Sequence, residues 1–178
     1  MSPVNILRVL LKTTAKALLP HNTFMAIKRW RHRREPPLEK RRRDLTVFPV
    51  QEHVEIRVYW ASRYNGTGPA MNVSVFDEEV LRFDCFGEID GHYHVKTGRE
   101  DTVKFTRLRF REQTIDEQIA RSLFEVRSHL PYHLERHKDR RIRAVKVDQA
   151  RLESVLQSIE TKMAADAEAS AAYDGPTF

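Results

Sequence analysis

Asp84, His92 and His94 are the residues of this chain whose types and spacing could do chemistry together. A carboxylate and two imidazoles can supply three ligands to a divalent metal ion and leave a position for water or substrate. The same groups could instead move a proton, with Asp84 orienting His94 as a general base. Both chemistries require the three side chains on one face of one β-hairpin. The stretch Phe83-Asp84-Cys85-Phe86-Gly87-Glu88-Ile89-Asp90-Gly91-His92-Tyr93-His94 provides this if residues 87–91 form the loop, with Gly87 and Gly91 supplying backbone freedom. Phe86 then lies opposite His92, Asp84 opposite His94, and Arg82 opposite Lys96. Alternation sends Leu81, Phe83, Cys85, Tyr93 and Val95 to the core and gathers Arg82, Asp84, His92, His94 and Lys96 on the other face. Glu55, Arg57, Asn72 and Ser74 can join from neighbouring strands. The candidate ligand-binding set is therefore Arg57, Arg82, Asp84, His92, His94 and Lys96, with Asp84, His92 and His94 as metal ligands and Asp84 and His94 as the catalytic pair. The plainer alternative is a charge-paired outer sheet face in contact with solvent.

Other motifs are weaker. Residues 87–100, with His92-x-His94 inside them, resemble the first metal-binding signature of the cupins. They depart from it by one residue on each side of the His pair, and no second signature follows. Alternation places Cys85 away from both histidines, as a buried and inert thiol. His129, His133 and His137 recur every fourth residue, but Pro131 is expected to break the helix and leave only His133 and His137 on a shared face.

The elements that must position the hairpin follow from periodicity. From residue 45 the pattern has period two, clearest in Val54-Glu55-Ile56-Arg57-Val58-Tyr59-Trp60, with Val54, Ile56, Val58 and Trp60 on one side. Short strands are expected near 71–76 and 79–86, joined at Asp77-Glu78, then 92–97 and about 102–110; Ile142–Val147 offers a sixth. Helical spacing returns at Thr114-Ile115-Asp116-Glu117, a capping-box pattern, followed by Ile115, Ile119, Leu123, Val126 and Leu130. Pro131 should end that helix. Asp148 should cap a last one, with Leu152, Val155, Leu156, Ile159 and Met163 facing inward. Strands before helices predict an α+β domain: an antiparallel β-meander of about five to six strands with C-terminal helices on one face.

Composition bounds the rest. No run approaches the roughly 18 apolar residues of a membrane-spanning helix, and the single cysteine excludes an intrachain disulfide and suits a reducing, cytoplasmic compartment. Residues 1–43 carry twelve Lys/Arg against two acids, whereas 44–178 carry nineteen against twenty-three. The expected organisation is thus a basic amphipathic arm (1–43), one α+β domain (44–164) and a flexible tail (165–178). Residues 28–43, with Trp30 among the basic side chains, fit an anionic partner, either nucleic acid or a membrane surface. Residues 1–34 hold no acid and also fit a targeting segment, which would place the protein in an organellar matrix. Phe124, opposite the buried stripe of its helix, points to a homodimer or larger complex. Two functions compete: a small ligand- or metal-binding domain, as an enzyme subunit or otherwise, and a non-catalytic accessory protein docking through the sheet face or the arm.

Overall fold

The computed structural model of the chain describes residues 42–63, 66–97 and 106–171. Nearly all of the basic amphipathic arm, the start of the strand expected near 102 and the end of the tail lie outside them. Six strands follow the period-two pattern: β1 (Arg42–Gln51), β2 (Val54–Arg63), β3 (Gly66–Val75), β4 (Glu78–Asp84), β5 (His92–Val95) and β6 (Thr106–Arg109). They form one sheet in sequence order, with every neighbouring pair antiparallel. A single helical turn, α1 (Gly87–Asp90), joins β4 to β5. The helices α2 (Ile115–Glu135), α3 (Arg140–Ala144) and α4 (Gln149–Ala171) close the chain.

The fold is α+β, as the order of elements predicts. Ile56, Val58, Met71, Val73, Leu81 and Phe83 line one face of the sheet and pack against Leu123, Val126 and Leu130 of α2 and Leu152, Leu156, Ile159 and Met163 of α4. Burial of these apolar stripes holds the layers together, at about 25 cal/mol per Å² removed from water. The caps form as expected. Thr114 Oγ1 accepts from the Glu117 amide at 3.2 Å, while Glu117 Oε2 accepts from the Thr114 amide at 3.1 Å. Asp148 Oδ1 accepts from the Arg151 amide at 3.0 Å.

Four local expectations are corrected. The turn between β3 and β4 is Phe76-Asp77, one residue earlier than expected, with φ of 51° and 63°. Two positive φ values give the mirror-image turn that matches strand twist, and stacking of Phe76 on His53 at 4.4 Å helps hold it. The sixth strand is β1, not Ile142–Val147. The Asp139 side chain caps the Arg141 amide at 2.8 Å and starts α3, which buries Ile142 completely. Helix α2 runs through Pro131 to Glu135. Proline removes one amide donor and crowds the carbonyl four residues back, but Leu130 and Leu134, buried on either side, tie both halves to the core. Helix α4 continues past the expected tail boundary at 165 to Ala171. No helix among the described residues is long and apolar enough to cross a membrane.

Candidate metal centre

Strand pairing brings the expected residues together, but in a different register. Asp84 lies opposite His92 and Arg82 opposite His94, whereas a loop of 87–91 would have set Asp84 opposite His94. The shift is two residues, so every side chain keeps its face. Its cause is α1. Gly87, at φ +66°, turns the chain into the helical turn, and the Gly91 amide closes it on the Gly87 carbonyl at 2.9 Å. Gly91 itself has ordinary backbone angles. It is needed because a Cβ there would overlap the Gln118 side-chain amide, which accepts from the Gly87 amide at 3.0 Å and so fastens α1 to α2.

The polar face of the sheet carries two cross-strand rows. One runs Tyr59, Ala70, Asp84, His92, Arg109; the other runs Arg57, Asn72, Arg82, His94, Arg107. Where a solvated face was the plain alternative, Asp84, His92 and His94 are 0%, 4% and 3% exposed. A small apolar cluster of Tyr59, Ala61, Ala70 and Phe86 flanks them on this face.

Asp84 Oδ2 is the centre of the group. His92 Nε2 lies 3.2 Å from it, Arg82 Nε 3.3 Å, His94 Nε2 3.9 Å and Arg63 Nε 4.0 Å. None of these contacts is aligned as a hydrogen bond, so both carboxylate oxygens, Arg82 Nε and Arg63 Nε are buried without a hydrogen-bond partner. Burial by itself would push the Asp84 carboxyl up. The neighbouring His92, Arg82 and Arg63 outweigh it and hold the group at about 2, so it is ionised at neutral pH. Burial first, then the charges of Arg82 and the neighbouring His92, hold the His94 imidazole down at about 3. His94 is therefore neutral at neutral pH, as a metal ligand must be.

His92 is held from behind by a backbone carbonyl and a guanidinium. Its Nδ1 lies 2.6 Å from the Asp90 carbonyl oxygen. A carbonyl only accepts, and Arg107 Nη2, 3.2 Å from the same atom, only donates. The shorter contact favours a proton on Nδ1 and leaves Nε2, 3.2 Å from Asp84, as the atom a metal would take. Asp90 is buried and its carboxylate accepts from Arg107 Nη2 at 2.6 Å. Ligand atoms of Asp84, His92 and His94 all lie within 4.8 Å of one another. Two ligands on a tetrahedral ion with bonds of about 2.0–2.1 Å stand about 3.3 Å apart, close to the Asp84–His92 separation of 3.2 Å, whereas His94 Nε2 lies farther out at 3.9 Å.

The remaining candidates are occupied at the edges of this group. Lys96 Nζ pairs with Glu79 at 2.6 Å. Arg57 pairs with Glu55, and its next carboxylate is Asp77 at 3.8 Å. Asn72 Nδ2 donates to Glu79 at 3.0 Å, and Ser74 is buried. Cys85 is buried on the core side beside Ser122, and burial pushes its thiol up to about 12, so it is inert as expected. Arg63, Asp90, Arg107 and Gln118 were missed. Arg63 shares the parity of Arg57 and Tyr59, and Arg107 that of the expected strand near 102–110, so both were open to alternation. Asp90 and Gln118 carry no local signal.

The helical histidines pair the other way from expectation. With α2 unbroken, His129 Nδ1 and His133 Nε2 each approach the buried Glu125 at 3.3 Å. His137, past the helix end, is fully buried against Glu78 at 3.4 Å. Glu125, His129 and His133 line a cleft of about 380 Å³ with Arg121 and Tyr132. Phe124 is 44% exposed beside Arg121.

Residues 45–163 match a family model described as a domain of unknown function (DUF7700), and the chain belongs to that family. No curated protein matches the chain, and no solved structure does.

Proposed function

We propose that this member of the family binds one divalent first-row transition-metal ion through Asp84, His92 and His94. The observation that carries the proposal is the fully buried Asp84 carboxylate, crowded at Oδ2 by His92, Arg82, His94 and Arg63 yet with no aligned hydrogen bond on either oxygen. Buried polar groups in folded proteins are satisfied in the great majority of cases, and an exception calls for an unseen ion or water. The carbonyl behind His92 supports the same site. A metal-bound imidazole characteristically donates its other N–H to a carbonyl or carboxylate, which fixes the ring and raises its basicity; Asp90 supplies that carbonyl. One carboxylate and two imidazoles suit zinc, iron, manganese or copper, and three protein ligands leave coordination open for a further group. Metal binding therefore makes the domain competent for Lewis-acid chemistry or for holding a ligand.

A salt-bridge network holding β4 to β5 is the competing account, and elemental analysis separates the two. Untagged wild-type protein should carry near-stoichiometric metal by ICP-MS, and the His92→Ala/His94→Ala protein should carry none while retaining its far-UV circular dichroism. Wild type that stays empty after incubation with each of the four metals and desalting would refute metal binding.

A further inference from the structure

Charge in the buried patch does not balance once a dication is present. Arg63, Arg82 and Lys96 set three positive charges against the three carboxylates of Glu79, Asp84 and Asp90, while the exposed Arg107 and Arg109 approach Asp90 from the rim. Glu79 is engaged by Lys96 and lies 3.7 Å from Arg82, and Asp90 is engaged by Arg107. Only Asp84 is shared between the metal position and the two remaining guanidiniums. A dication would leave an excess of two positive charges, in a region where uncompensated charge is costly. Arg63 Nε–H and Arg82 Nε–H are buried donors without an acceptor, 4.0 and 3.3 Å from the Asp84 oxygen that a metal would take but not aligned on it. These side chains are 22% and 15% exposed and Arg107 is 40% exposed, so each reaches from the buried group to solvent.

The geometry points to an oxyanion as the further ligand of this centre: a phosphate or carboxylate group that bridges the metal and the guanidiniums of Arg63 and Arg82. The inference rests on the metal-binding proposal above. The oxyanion supplies the missing negative charge, and its oxygens accept the two orphaned N–H donors. Guanidinium suits this role because it stays charged and matches both carboxylate and phosphate geometry. A neutral ligand would leave the excess charge in place and is disfavoured.

The test uses the full chain loaded with Co²⁺, whose visible absorption reports changes in coordination. Equilibrium dialysis measures binding of inorganic phosphate in one arm and succinate in the other. Binding in either arm with a shift in the cobalt spectrum supports the assignment, and the tighter arm identifies the source as phosphate-bearing or carboxylate-bearing. Arg63→Gln should weaken the oxyanion at least about tenfold, the scale of one charge-assisted hydrogen bond. It should hold Co²⁺ as tightly as wild type or more tightly, because a repelling charge is gone. These opposite directions distinguish a binding role from a structural one. Loaded wild type that takes neither anion, or Arg63→Gln that loses cobalt and anion together, overturns the oxyanion assignment. Wild type that takes up no Co²⁺ overturns the metal proposal and this inference with it.

Discussion

Acidification of the metal-free protein should weaken the fold well above the range in which carboxylates titrate, and His94 is the main reason. Its imidazole is held at about 3 in the folded protein, against 6.5 when the chain is unfolded. Between those values the unfolded state binds a proton that the folded state refuses, so stability falls as pH falls through that window. Above pH 6.5 the contribution is fully present. Each pH unit inside the window costs about 1.4 kcal/mol for one histidine. From pH 7 to pH 5 the unbuffered figure is about 2 kcal/mol, or about 1–2 kcal/mol after allowing for solvent screening at the rim of the site. Asp84 acts lower, losing its contribution only between 3.8 and about 2. His133 and His137 are also held down by burial and add to the slope in the same direction. The His94→Gln protein isolates the share of His94, since the other two histidines remain. Urea unfolding with chelator present, at half-unit steps from pH 7.5 to 5, is the assay. With an m-value of about 1–2 kcal/mol/M, the wild-type midpoint should drop by roughly 1 M more than that of His94→Gln. Parallel pH profiles for the two proteins would show that His94 is not held neutral by its surroundings, and the account of the site given above would fail.

Two further outcomes test the elements behind the site. Pro131→Ala should stabilise the fold by about 1–3 kcal/mol, because it restores a helical amide and relieves the crowding proline imposes within α2; an unchanged or lower melting temperature would show that the proline carries a contact worth more than the lost bond. Gly91→Ala should push Gln118 off α1, move the Asp90 carbonyl away from His92 and lower metal affinity roughly 10–100-fold, the usual effect of disturbing the group behind a ligand. Isothermal titration with Zn²⁺ reads this directly, and unchanged affinity would remove α1 from the positioning of His92.

Periodicity in the amino-acid order was enough to establish an α+β domain, the two capped helices, and the face on which Asp84, His92 and His94 stand together. Those features are short-range. Side-chain alternation follows from backbone geometry within a strand, and a capping box closes within one turn. Face assignment also survived the mistaken pairing of Asp84 with His94, because the true register differs by an even number of residues. The register itself depended on α1, a turn fastened by Gln118 from a distant helix, which no local pattern in 87–91 announces. Pro131 reads locally as a stop, yet α2 passes through it because Leu130 and Leu134 are buried on both sides. Burial of the polar face was likewise decided in three dimensions, as was the arrival of Arg63 from the end of β2 beside Asp84. Local order in the chain selects which side chains share a face. Only the packing of distant segments determines which of them leave water, and with that the ionisation of Asp84, the neutrality of His94 and the chemistry open to the site.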